Sequence, residues 1–139
     1  MFDYQKILNQ NMQNVVKDIL NIIEKNEISN NNQLYITFST YGKEVELPKW
    51  LKEKYPEEMT IIIQHEYYNL KIYKKYFNIT LSFNDIKTEL KIDYSSIISI
   101  ADPIANFGLK FKKNTKIKNK TKSKENFKNN VINFKNYKK

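Results

Sequence analysis

Residues 78–92, NITLSFNDIKTELKI, read as two alternating strands joined by a two-residue turn. The alternating apolar residues are Ile79, Leu81 and Phe83 before the turn and Ile86, Leu90 and Ile92 after it. Asn84 and Asp85 both tolerate positive φ, which is what the tight turn of a β-hairpin needs. The segment therefore predicts an antiparallel hairpin and, with it, a domain rich in β-structure.

Further strand-like segments flank the hairpin on both sides, with β-branched and aromatic residues at strand spacing. They are QLYITFS (33–39), MTIIIQH (59–65), NLKIYKKYFNITLSF (69–83) and IANFGLKF (104–111). The third must turn near Lys74 and Lys75, and residues 94–103 are expected to be short helical or irregular structure. About five or six antiparallel strands predict a small barrel or sandwich, and we favour a five-stranded, partly open barrel.

Two helices are predicted before the hairpin. Residues 4–25 carry apolar side chains at steps of three and four, which predicts the first helix. Pro48 and Pro56 bracket a second, shorter helix of one or two turns. The apolar stripe of the first helix consists of Ile7, Leu8, Met12, Val15, Val16, Ile19, Leu20, Ile22 and Ile23. Such a broad stripe fits either a helix that caps the core or one that also meets a second copy of itself.

Charge divides the chain at residue 112. Residues 112–139 hold 11 of the 24 lysines and one of the 15 acidic residues, which leaves 13 lysines and 14 acids in residues 1–111. We therefore predict a nearly neutral domain (1–111), a flexible Lys/Asn-rich linker (112–130) and an apolar peptide module at the tip (131–139). The chain contains no arginine, so the bidentate contacts preferred for phosphates and bases are missing.

Composition argues against most catalytic and cofactor chemistry. The chain has no cysteine, one histidine and two glycines, so thiolate metal sites, phosphate-cradling loops and Gly-flanked nucleophiles are not expected. We predict no catalytic residues, no metal and no cofactor. Apolar runs are too short to cross a bilayer and the N-terminus lacks a secretory pattern, so we expect a cytoplasmic protein.

Binding is therefore the favoured class of function, and the segment QHEYYNL (64–70) is its first candidate. If this segment is a strand, Gln64 and Glu66 lie on one face, and His65 and Tyr67 on the other. Mixed donors, acceptors and aromatic planes suit recognition of an extended peptide. The alternative is that these aromatic residues simply complete the core.

Four blocks of the sequence, in this order, resemble a known family. They are YITFST, LKEKYPEEMTIIIQHEYYNLKI, FNITLSFNDI and IADPIANFGLKF. Together they resemble the alphaproteobacterial branch of the SspB family, the specificity-enhancing adaptors of the ClpXP protease. The final VINFKNYKK is similar to the motif with which that family docks on the ClpX unfoldase.

The resemblance implies a non-catalytic homodimer with a β-rich, Sm-like body and a groove for the ssrA degradation tag, which the tmRNA system adds to products of stalled ribosomes. The implied tag-binding residues are Gln64, His65, Tyr67, Tyr68, Ser82 and Phe83. The implied ClpX-docking residues are Val131, Ile132, Phe134, Tyr137, Lys138 and Lys139. No membrane partner is expected.

Two other classes of function are considered. An Sm-like RNA-binding module with a basic tail could hold phosphates, but the neutral body and the lack of arginine disfavour nucleic acid. An enzyme using His65 would lack a nucleophile, base or metal partner in any recognisable motif.

Overall fold

The computed structural model of the chain describes residues 1–26 and 32–111, and in these it is mainly β with an N-terminal helix. Helix α1 spans Tyr4–Asn26 and the short helix α2 spans Lys49–Lys54. The strands are β1 (Leu34–Ser39), β2 (Glu58–Ile63), β3 (Tyr68–Ile72), β4 (Tyr76–Phe83), β5 (Ile86–Asp93), β6 (Ile97–Asp102) and β7 (Phe107–Lys110). A single 3₁₀ turn, Tyr94–Ser96, separates β5 from β6. The predicted fold class is confirmed.

The strands form two antiparallel sheets, one in the order β2-β1-β6-β7 and one in the order β3-β4-β5. This differs from the five-stranded, partly open barrel favoured above. Strand β6 lies in the segment predicted to be helical or irregular, because IISIAD shows no clear alternation of apolar and polar residues. The segment is a strand because it pairs on both edges, with β1 and with β7, and the partner β1 is distant in the sequence.

The predicted hairpin is confirmed as β4 and β5. Phe83 pairs with Ile86 across the turn, and Asn84 and Asp85 have φ values of 51° and 64°. The buried face of the hairpin carries Phe77, Ile79, Leu81, Leu90 and Ile92. The next cross-strand pair along the apolar ladder, Phe83 with Ile86, lies beyond the core, where Ile86 is exposed.

Helix α1 covers the core with one side of its apolar stripe, as predicted. Met12, Val16, Leu20 and Ile23 are buried, and the helix contacts β3 and the 3₁₀ turn. Three further apolar residues, spaced seven apart, remain exposed on its neighbouring face: Leu8 (54%), Val15 (37%) and Ile22 (60%). Capping the core therefore accounts for five of the nine residues of the stripe, counting the partly buried Ile19, and Ile7 is exposed as well.

The turn between β3 and β4 falls at Lys74 and Lys75, as predicted. Two side chains stabilise it by hydrogen bonds to its backbone oxygens. The buried Tyr94 donates its hydroxyl hydrogen bond to the backbone oxygens of Tyr73 (2.8 Å) and Tyr76 (3.1 Å). From α1, the Lys17 Nζ donates to the backbone oxygen of Lys74 at 3.1 Å. Burial raises the pKa of Tyr94 above its ordinary value.

Candidate peptide-binding groove

A groove opens between the two sheets where the end of β2 faces the end of β4. It encloses a cavity of about 530 Å³. The residues that line it are Thr60, Ile61, Ile62, Gln64, His65, Glu66, Leu81, Ser82 and Phe83. Four of the six predicted tag-binding residues therefore line this groove: Gln64, His65, Ser82 and Phe83.

The prediction that QHEYYNL is one continuous strand is wrong. Strand β2 ends at Ile63, residues 64–67 form an irregular connection, and Tyr68 begins β3. The end of β2 is set by its partner, because Ile63 pairs with Leu34, the first residue of β1. Gln64 and His65 thus reach the groove from a loop, so the alternation of faces expected of a strand does not apply to them.

Strand β2 buries one face and exposes the other. Met59, Ile61 and Ile63 are buried, whereas Thr60 and Ile62 are exposed. Ile62 therefore lies at the groove instead of in the core.

Tyr67 and Tyr68 do not line the groove. Tyr67 is partly buried and packs against the core, which is the alternative considered for these aromatic residues. Tyr68 opens β3 opposite Thr80, and the Lys87 Nζ lies 4.2 Å from the centre of its ring. This cation–π contact joins Tyr68 to Lys87 of β5.

One wall of the groove presents backbone groups of β2 that have no strand partner among the described residues, because β2 is an outer strand of its sheet. The Thr40 N–H donates to the Glu57 carbonyl at 3.0 Å, which fixes the phase of the ladder. Because bonding alternates along an antiparallel strand, the peptide groups of Met59, Ile61 and Ile63 point toward β1. Those of Thr60 and Ile62 point the other way, to the open side.

The opposite wall has an unpaired backbone group on β4. Pairing with β3 ends at Thr80, so Leu81 to Phe83 pair with β5 alone among the described residues. In a two-residue hairpin, the residues next to the turn exchange both hydrogen bonds, here Phe83 and Ile86. The peptide group of Ser82 must therefore point away from β5. Two facing edges with free donors and acceptors are what an extended peptide needs for added-strand pairing.

Sequence reasoning missed several residues of the groove. Thr60, Ile61, Ile62, Glu66 and Leu81 were not named as candidates because the order of the strands, which makes β2 an outer strand, is not visible in a local pattern. Trp50 of α2 was also missed, although its ring meets that of Phe83 edge to face at 6.5 Å. The signal available in the sequence was a single tryptophan between two prolines, Pro48 and Pro56.

Within residues 1–26 and 32–111, no group of three or more His, Asp or Glu side chains is placed to hold a metal ion. None of the described helices is both long enough and apolar enough to cross a membrane. The predicted ClpX-docking residues and the linker before them lie outside the described residues.

Comparison with known proteins gives one result for nearly the whole chain. The model of a family described as SspB, stringent starvation protein B, matches residues 6–136. No curated protein matches the chain. The matched range includes every residue that lines the groove and most of the basic tail.

Proposed function

Because the chain belongs to the SspB, stringent starvation protein B, family, whose members are adaptors and not enzymes, we propose that it delivers ssrA-tagged proteins to the ClpXP protease. In this proposal the body binds the degradation tag and the tail binds the ClpX unfoldase. The protein itself carries out no reaction, and it acts in the cytoplasm, where it meets both partners.

The observation that carries the proposal is the groove between the facing ends of β2 and β4. Free backbone groups on Thr60, Ile62 and Ser82 can pair with the main chain of a tag bound in extended form. Gln64 and His65 contribute side-chain donors and acceptors to the groove, and Phe83 contributes an apolar surface. Affinity then comes largely from the main chain, and choice of tag from the side chains.

The proposed tethering rests on the predicted division of the chain into a body (1–111), a linker (112–130) and a tip (131–139). A tag held in the groove and a ClpX subunit held by the tip are joined through one chain, so capture by the protease becomes nearly intramolecular. Such linkage typically raises effective affinity by roughly a hundredfold or more. Repulsion between the linker lysines favours an extended tether.

We also propose that the adaptor is a homodimer joined through α1. Leu8, Val15 and Ile22 are exposed at steps of seven, which is the spacing of a helix–helix seam. Two copies packed along this seam would bury side chains that a single copy leaves in water. The dimer would carry two grooves and two tails.

The first test is replacement of Gln64 by Ala. The variant should bind a fluorescein-labelled tag peptide about tenfold more weakly. The reason is that a polar group of the bound peptide loses its hydrogen-bond partner when the Gln64 amide is removed. Fluorescence anisotropy measures the affinity, and circular dichroism checks the fold.

The matched control is Gln10→Ala, which removes the same amide from an exposed position on α1. It should bind the peptide like the wild type. Equal affinities for Gln64→Ala and the wild type would remove Gln64 from the site, and failure of the wild-type protein to bind the tag would overturn the proposal.

A further inference from the structure

Trp50, the single tryptophan of the chain, is 38% exposed although it could contribute a large apolar surface to a core. Helix α2 fixes it there. Pro48 precedes the helix in an extended conformation, and Leu51, the neighbour of Trp50, is buried at 1% exposure. Because α2 is anchored by Leu51, the indole ring is held at the surface by the backbone beneath it.

The exposed ring continues a line of apolar side chains that leads out of the groove. Trp50 meets Phe83 edge to face, with ring centres 6.5 Å apart and planes at 76°. Phe83 lines the groove and pairs across the hairpin turn with Ile86, which is 56% exposed. We refer to Trp50, Phe83 and Ile86 as the aromatic shelf.

The shelf and the groove differ in chemistry, and Phe83 belongs to both. The groove presents backbone edges and the polar side chains of Gln64, His65 and Ser82, which suit a main chain and small side chains. The shelf presents two rings and a branched aliphatic side chain, which together suit one bulky apolar side chain. Partly exposed tryptophan that is already rigid loses little entropy on binding, a property of residues that dominate interface affinity.

We propose that the aromatic shelf is a specificity subsite that receives a bulky apolar side chain of the peptide bound in the groove, with Trp50 as its main determinant. The inference rests on the proposed function, because the occupant is the same extended peptide. It goes further by assigning selection for a large apolar residue to α2, an element that does not line the groove.

The emission of Trp50 tests the subsite directly, since no other tryptophan contributes. Titration with unlabelled tag peptide should shift the emission to shorter wavelength, with the same half-saturation that anisotropy gives for peptide binding. A peptide that binds by anisotropy while the emission stays unchanged would overturn the inference and leave the proposed function intact.

A double-mutant cycle tests whether the contact is direct. Tag peptides with each bulky apolar residue changed in turn to Ala are titrated into wild type, Trp50→Ala, Trp50→Phe and the exposed apolar control Ile104→Ala. We expect Trp50→Ala to bind the unchanged peptide about tenfold more weakly. In this variant, one position of the peptide should become insensitive to its Ala replacement. Trp50→Phe should retain most of the wild-type affinity.

If every Ala replacement in the peptide costs Trp50→Ala as much affinity as it costs the wild type, Trp50 contacts none of these side chains. That result would mean that Trp50 only supports the fold of the groove, and it would overturn the assignment. Thermal unfolding of each variant provides a readout for that structural role. Because Trp50 is partly exposed, we expect Trp50→Phe to unfold within a few degrees of the wild type.

Discussion

Tyr94 shows how one side chain fixes the ends of two strands. Its ring is buried and stacks near that of Phe77, with 6.0 Å between ring centres, while its hydroxyl reaches the carbonyls at both ends of the β3–β4 turn. A tyrosine hydroxyl that is buried and hydrogen-bonded resists ionisation, which is why burial raises its pKa. The turn is thus tied to the core by a group that must stay protonated.

The raised pKa makes stability depend on alkaline pH in a definite direction. The ordinary pKa of tyrosine is 10.0, and the folded value is higher, so the folded state holds the proton more tightly than the unfolded state. The stabilising contribution is complete below pH 10 and declines as pH rises above it, because only the unfolded chain then releases the proton.

Tyr94→Phe should therefore lower the free energy of unfolding by about 1–3 kcal/mol at neutral pH, through the lost hydrogen bonds. It should also flatten the decline in stability above pH 10. Urea denaturation from pH 7 to pH 11 measures both effects. Tyr4→Phe, at an exposed phenol, should change neither, and an unchanged alkaline slope in Tyr94→Phe would contradict the explanation.

At the scale of whole elements, the sequence predicts what local chemistry determines. The β4–β5 hairpin follows from two turn residues that accept positive φ, and α1 follows from a helical period of apolar residues. Both are confirmed. The ends of β2 and the existence of β6 depend on the partner strand β1, which is distant in sequence, and both were mistaken.

The same distinction applies to the candidate groove. Gln64, His65, Ser82 and Phe83 come together as the family resemblance implied, but no spacing in the sequence places β2 opposite the end of β4. Tyr67 and Tyr68 were grouped with them because they are neighbours along the chain. The loop and the turn into β3 direct them elsewhere, one toward the core and one beneath Lys87.

Helix α1 offers a prediction about assembly. Val15→Glu places a charge in the middle of the exposed seam and should convert the proposed dimer to monomers while the fold is kept, since the site is solvent-exposed in a single copy. Analytical ultracentrifugation measures the mass. Asn14→Glu, exposed on the same helix turn but outside the seam, is the matched control; a monomeric wild type would refute the seam.

At the scale of the whole chain, most of the excess positive charge lies in a different part of the sequence from the residues that line the groove. The body is nearly neutral and the basic residues cluster after residue 111, so tag binding and tethering are expected to be separable functions. Charge at the tail can attract polyanions without sequence preference, whereas the proposed tag-binding groove offers fixed backbone edges and side chains.

Deletion of residues 131–139 should leave the affinity for the tag peptide unchanged and abolish stimulation of ClpXP degradation of a tagged substrate, because the tether then has no second attachment. Anisotropy and a degradation assay measure the two properties. Replacing residues 115–123 by Gly and Ser at equal length should preserve both, and loss of tag binding on deletion of the tip would contradict the division of labour.

The pairing of β1 with β6 has a consequence for the order of events during synthesis. Sheet β3-β4-β5 is built from neighbouring strands and can form as soon as Asp93 has been made. In the other sheet β1 can pair early with β2, but its second partner, β6, comes roughly sixty residues later in the chain. The β1–β2 pair and the β3-β4-β5 sheet can therefore form first, and the sheet that carries the β2 wall is completed only when nearly the whole body has left the ribosome.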